Sequence, residues 1–287
     1  MLSDVCDLLA CPLCGSGFRL LPSALRCAGG HSFDIARQGY VNLMPGGARP
    51  GTADTAEMIA AREEFLSAGH YAPLARMVAD LAADAVPPAP DWPASVLDAG
   101  AGTGYYLGAV LTRLCSQPGL PGAVGLAMDI SARALRRAAR AHPAIGAVAC
   151  DLWKPFPVRA SAASLIINVF APRNGAEFRR VLRADGALIV VTPAPGHLAE
   201  LIQAADLLTV DSRKDERLAA SLTDHFTLAS RADHAFGLRL SHAGASALIG
   251  MGPSARHAAA VTHARLARLA EPVAVTAAFR ISVYRPR

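Results

Sequence analysis

The stretch VLDAGAGTGYY, residues 96–106, decides the fold. A short apolar run closes on Asp98, three glycines follow at Gly100, Gly102 and Gly104, and an aromatic and aliphatic pattern then begins. That is a strand turning into a helix through a loop whose backbone can approach a ligand and point amide groups at it. Glycines alone do not choose the ligand, because dinucleotide-binding proteins use a similar turn. Asp98 does narrow it: a carboxylate there repels a pyrophosphate and can capture an ammonium group. Asp129, in AMDIS, ends the next strand and suits ribose hydroxyls; Asp151, in ACDLW, ends a third and can accept from an adenine amino group. Acids at three successive strand ends favour S-adenosylmethionine, against the plainer reading that each caps a helix.

Outward from this loop the pattern alternates apolar strands with helices, as a parallel sheet requires. SVLDAG, AVGLAMDI, AIGAVACD, ASLIINVF and GALIVVTP read as five strands, SARALRRAARAH as an intervening helix, and PVAVTAAFRISVYRPR as a closing strand. Upstream, TADTAEMIAAREEFLSAGHYAPLARMVADLAADA carries two helical patterns that part between Gly69 and Pro73. MPGGARPGTAD reads as a linker before them, and VPPAPDWPA stops the second.

The N-terminal segment has a different character. Cys11 and Cys14 are separated by two residues in CPLCG, Cys27 and His31 by three in CAGGH, and twelve residues lie between the pairs. Thiolates on tight turns can face one ion and close a tetrahedral Cys3His zinc site, with no position left for an activated water. Zinc in such loops supplies about 10–16 kcal/mol of apparent folding free energy, more than so short a segment gains from its own core. Cys6 lies outside the paired turns, and Cys115 and Cys150 read as core residues.

Composition sets outer limits. The 287 residues suffice for one α/β domain and a small appendage. No apolar run approaches the ~18 residues of a membrane span and no leader pattern opens the chain, so a cytoplasmic protein is expected. Six cysteines in such a chain favour metal over disulfides. A net charge of +5 permits a polyanionic partner, although the residues up to Pro50 hold four arginines against three aspartates. Arg133, Arg136, Arg137 and Arg140 share one side of their helix, as a solvated face or a phosphate contact.

CPLCG, GHSFDIARQGYVNL, DTAEMIAAREEFLSAGHY, LDAGAGTGYY, NVFAPRN and VTPAPGHLAEL together resemble the 23S rRNA guanine-N1 methyltransferases of the RlmA type. RQGYVNL, NVFAPRN and IGMGPS are most similar to the actinobacterial tylosin-resistance branch. The resemblance spans nearly the whole chain and is loosest between Asp206 and Arg239 and in SARHAAAVTHARLARL. It implies a Rossmann-like α/β class I methyltransferase domain (91–287), preceded by a small zinc-binding, RNA-recognition module (1–45) and joined to it by a linker and helices (46–90). It also implies methyl transfer to guanine N1 in a hairpin lining the ribosomal exit tunnel, in the nucleotide-748 rather than the nucleotide-745 class, with tylosin-type macrolide resistance. The partner is then 23S rRNA or a ribosomal particle, and the protein a homodimer. Cysteine and histidine ligands carry over to Cys11, Cys14, Cys27 and His31, and cofactor contacts to Tyr71, Gly102, Thr103 (through its backbone) and His197.

Guanine N1 bears a proton at neutral pH, so its methylation needs a proton acceptor or stabilisation of charge on O6. The fourth strand ends in NVFAPRN, where substrate should meet the methyl group. Asn168 there could bond the base edge, Phe170 could stack on it or belong to the core, and Arg173 could steady O6 or a phosphate. A base within a hairpin has to swing out to reach such a pocket. Two other functions fit parts of the pattern: a small-molecule methyltransferase with a structural zinc knuckle, and a zinc RNA-binding protein without turnover.

Overall fold

The computed structural model describes residues 1–45, 54–86, 93–118, 120, 122–205, 221–252 and 264–287. Most of the Gly/Pro linker (46–53) and of the proline-rich break (87–92) lies outside the described residues, as do most of SARHAAAVTHARLARL and the end of IGMGPS.

Five parallel strands form the centre of the main sheet: β5 (Ala94–Ala99), β6 (Ala123–Asp129), β7 (Ile145–Ala149), β8 (Ala163–Val169) and β9 (Leu182–Pro193). These are the five runs read from the sequence. They form because both faces are covered, so nearly every residue is apolar and buried. The closing strand β11 (Val273–Pro286) runs antiparallel to β9, and β10 (Phe226–Leu240) pairs antiparallel with β11 on its outer side. With β4 (Tyr40–Asn42) the order is β10-β11-β9-β8-β5-β6-β7-β4. Apart from β4, this is the doubly wound sheet with one reversed strand that defines the Rossmann-like class I methyltransferase fold. The direction of crossover reverses between β5 and β8, so a ligand crevice opens beyond their carboxyl ends.

Side chains alternate across the sheet into two cores. Val96, Ala147, Leu165 and Ile189 face one that also contains Leu74 and Val78 of α3 (Ala72–Ala85), Val110 of α4 (Tyr105–Cys115) and Leu248 of α8 (His242–Gly250). Leu97, Met128, Val148 and Ile166 face the other. Thr55 caps α2 (Ala56–Ser67) through its hydroxyl, and Ser131 caps α5 (Ala132–Ala141) in the same way.

The N-terminal segment opens with a helical turn, α1 (Leu2–Val5), and forms a three-stranded antiparallel ribbon of β1 (Phe18–Leu20), β2 (Ala24–Cys27) and β3 (Ser32–Asp34). It is built into the second core: Val5, Leu9, Phe18 and Leu25 belong to the same buried cluster as Leu97 and Met128. Strand β4 then pairs parallel with β7, adding an eighth strand to the main sheet. The backbone bond from Arg159 N–H to Leu8 O (2.8 Å) and that from Ala10 N–H to Pro157 O (3.0 Å) pin the ribbon from a second direction.

One expectation fails here: Cys115 is exposed at the last residue of α4, while Cys150 is buried as expected. A helix end leaves the sheet behind, so apolar spacing there no longer implies burial.

Val41 of β4 is fully buried between ribbon and sheet. Val41→Ala is expected to cost about 2 kcal/mol in urea unfolding, with the ribbon and the main sheet losing stability together. A ribbon that melts independently of the sheet would show that the shared core does not couple them.

Candidate cofactor and metal sites

In the ribbon, Cys11, Cys14, Cys27 and His31 bring their ligand atoms within 4.8 Å of one another. Cys11 Sγ lies 3.6 Å from His31 Nδ1, Cys27 Sγ 3.4 Å from the same nitrogen, and Cys14 Sγ 3.6 Å from Cys27 Sγ. A zinc tetrahedron with ordinary Zn–S and Zn–N bonds has edges of about 3.5–3.8 Å, so the four residues fit the ion. Gly15 N–H bonds Cys11 O (2.8 Å), and Gly30 N–H bonds Cys27 O (3.0 Å), each turn curling round its sulfur. The Ser16 hydroxyl and amide pull the Cys14 thiol down to about 6, toward the thiolate that a metal needs. Cys6 is buried elsewhere, its Sγ 3.6 Å from Phe18 O.

The second site lies beyond the carboxyl ends of β5, β6 and β8. Asp98 is 2% exposed, and burial together with the charge of Asp129 raises its carboxyl well above the ordinary value. Burial also raises Asp129, against the pull of two amides: Gly102 N–H (2.9 Å) and Ser131 N–H (2.8 Å). A buried and a half-buried carboxylate flanking a glycine loop make a site suited to a cation. Asp151 closes an Asx turn, its Oδ1 accepting from Trp153 N–H at 2.9 Å. Gly100 has φ +91°, and a Cβ there would stand 2.2 Å from the Ala171 methyl. No other residue permits that approach of the cofactor loop to the NVFAPRN loop.

Tyr71 is fully buried, edge-on to Phe65 (4.9 Å) and to Phe279 (5.1 Å), and burial raises its hydroxyl. His197 lies 4.9 Å from the same Phe279 ring and 6.4 Å from Phe170. Burial lowers His197 to about 4, so the ring is neutral at pH 7. Its Nδ1 accepts from Ala278 N–H at 3.2 Å, which leaves Nε2–H as a donor. The sequence had marked Tyr71 and His197 only through resemblance. The structure joins them through Phe279 of the closing strand.

The NVFAPRN loop differs from its sequence reading. Asn168 is completely buried, and its Nδ2 donates to Ala99 O (2.8 Å) and Pro172 O (2.9 Å). Both donors are spent on main chain, so the group anticipated at a base edge instead ties two loops together. Arg173 is 7% exposed, buried rather than offered to O6 or a phosphate at the surface. Phe170 is 43% exposed with φ +54°, a left-handed conformation that is costly for a bulky residue. Of the two readings of this ring, the exposed one fits.

Two neighbours were missed. Arg62 of α2 pairs with Asp54, donates to Met251 O (3.0 Å), and stands 3.4 Å from where a Gly102 Cβ would be. Tyr106 lies close enough to Asp98, Tyr71 and Arg62 for their charges to act on its hydroxyl. Arg62 sits within DTAEMIAAREEFLSAGHY, where a cation on a helix beside a cofactor loop was the available signal. In the α5 stripe, Arg137 is engaged by Glu63 at 2.6 Å.

Fold, acids and ribbon define an S-adenosylmethionine-dependent methyltransferase carrying an N-terminal zinc ribbon. Residues 9–49 match the family model for the N-terminal region of RlmA, a zinc ribbon. A Micromonospora griseorubida protein assigned as a 23S rRNA (guanine-N(1)-)-methyltransferase is 53% identical, covering 99% of both chains. The 23S rRNA (guanine(748)-N(1))-methyltransferase of Streptomyces fradiae is 45% identical over 90% of this chain and 89% of its own. YxjB of Bacillus subtilis, with the same assignment as the Micromonospora protein, is 30% identical over 82% of this chain and 80% of its own. The chain belongs to the 23S rRNA (guanine-N1)-methyltransferase family and is an enzyme.

Zinc removal by chelation, checked by atomic absorption, is expected to expose residues 9–35 to protease, since about 10–16 kcal/mol of apparent binding energy is lost with the ion. A ribbon as resistant without metal as with it would contradict this. A second expectation concerns Asp98. Its folded pKa lies above the ordinary 3.8, so between those values the native chain keeps a proton the unfolded chain releases. Stability therefore falls as pH rises through that window. Asp98→Asn should raise the melting temperature of the cofactor-free protein at pH 7 and weaken S-adenosylmethionine binding by about tenfold or more in calorimetry. Unchanged affinity would remove Asp98 from the cofactor site.

Proposed function

We propose that this enzyme methylates N1 of a guanine in the 23S rRNA hairpin lining the exit tunnel, at the position its Streptomyces relative is named for, nucleotide 748. The observation that carries this reading is the joining of a cation-seeking cofactor loop to an exposed aromatic on one sheet edge. The ribbon set in the same core adds to it.

In this reading Tyr71, Asp98, Gly100, Gly102, Thr103, Asp129, Asp151 and His197 hold S-adenosylmethionine, with Arg62 opposite its carboxylate. The cofactor supplies an electrophilic methyl group; the chain supplies alignment, which alone can account for much of the acceleration. Phe170 presents its ring to the swung-out guanine beside His197. The His197 Nε2–H is a neutral donor toward charge that develops there; its spent Nδ1 rules it out as the base. Asn168 acts by positioning the Ala99 and Pro172 loops.

Residues 1–45 serve as the zinc-dependent RNA-recognition module, 46–90 join it to the rest, and 91–287 carry the transferase. The partner is 23S rRNA or a ribosomal particle, and the enzyme acts as a homodimer in the cytoplasm. Among the described residues no helix is long and apolar enough to cross a membrane. The biological result is tylosin-type macrolide resistance. The ribbon favours this function over a small-molecule methyltransferase: the segment that leaves the ligand edge at Asp151 goes on to bond the N-terminal module at Leu8 and Ala10.

Methylation at N1 blocks base pairing, so reverse transcription of treated, previously unmodified 23S rRNA reads it out. A single new stop at that hairpin guanine is expected, on naked RNA or on particles. Cofactor binding without any stop on either substrate would contradict the reading.

A further inference from the structure

Trp153 is 62% exposed, on the segment that links the ribbon to the transfer site. Leu13 and Leu20, also exposed, are ordinary surface aliphatics; a bare indole is not, because tryptophan is among the most deeply covered residues on average. The segment that carries it is rigid. Its start is fixed by the Asx turn at Asp151, by Lys154 N–H bonding Asp151 O (3.0 Å), and by Asn174 Nδ2 donating to Leu152 O (3.2 Å) from the NVFAPRN loop. Its end is fixed by Phe156 N–H bonding Glu177, by Arg180 donating to Phe156 O and Val158 O, and by the Arg159 and Ala10 backbone bonds to the ribbon. Between these anchors Trp153, Lys154 and Pro155 form an exposed apex. Lys154 is the only lysine among the described residues.

We propose that Trp153 stacks on an unpaired nucleobase of the RNA substrate next to the target guanine, with Lys154 on the adjoining phosphate. An exposed aromatic paired with a cation, on a fixed turn between an RNA-recognition module and a flipped-base pocket, is the combination that captures single-stranded nucleotides. The proposal rests on the rRNA reading above. It adds a second stacking contact that selects the substrate loop and takes no part in methyl transfer.

The test uses the full-length zinc-loaded protein, a transcript of the 23S hairpin domain and radiolabelled S-adenosylmethionine. Trp153→Ala is expected to raise KM for RNA by about 5- to 100-fold, with kcat and cofactor affinity at wild-type values. Trp153→Phe, which keeps a stacking face, should stay within about threefold of wild type. RNA should quench tryptophan emission in the wild type more than in Trp153→Phe, where only Trp92 emits. A wild-type KM in Trp153→Ala would overturn the proposal and leave the rRNA reading intact. Equal losses in both variants, with weakened cofactor binding, would also overturn it by showing a structural role. Failure of the wild-type protein to methylate the RNA would remove the rRNA reading, and this proposal with it.

Discussion

Asn168 sits at the end of β8 with no solvent exposure, and its side-chain amide donates one proton to Ala99 O and the other to Pro172 O. One carbonyl ends β5 where the strand enters the glycine turn, and the other lies inside NVFAPRN. Gly100 against Ala171 completes the join by steric contact. Two buried bonds to main chain are hard to break, because any loop displacement strands a donor or an acceptor away from water. The distance between the glycine loop and the exposed Phe170 ring is therefore fixed by the fold. Under the proposed function, that preorganisation is what an in-line displacement needs.

The rest of the site is arranged around this join. The acids that end β5 and β6, one buried and one half-buried, create a demand for positive charge, and the Tyr71 and His197 rings pack on Phe279 of the closing strand. His197 stays neutral there because burial outweighs the neighbouring amide. The ribbon is stabilised locally by its four ligands, but its orientation comes from the shared second core and from β4 in the main sheet. Ordinary hydrophobic packing thus aims the module.

What could be read from the chain follows from burial. Strands β5 to β9 are covered on both faces, so they stand out as continuous apolar runs, and the acids that end them were visible at once. The metal ligands were equally plain, because ligation imposes spacing. Strand β10 was not visible: it lies at the sheet edge, mostly exposed, and its residues ASRADHAFG follow no alternation strong enough to see. Strand β4 is three residues long and depends on pairing with β7, a contact no local pattern announces. The structural part of Asn168 was hidden for a physical reason too, since a polar residue ending a buried strand looks like a ligand contact, and no local pattern announces the two carbonyls that take its Nδ2 protons. Arg62 went unnoticed because its neighbours, Asp54 and Met251, are 8 and 189 residues away.

The most direct measurement is hydrogen exchange across both loops in Asn168→Ala, read together with cofactor affinity and RNA KM. If the buried amide welds the two loops, amides at 99–104 and at 170–174 lose protection together and S-adenosylmethionine binding weakens. If only 170–174 loosens, or neither loop does, and the RNA KM rises while cofactor affinity holds, Asn168 contacts the base and the welded site is wrong.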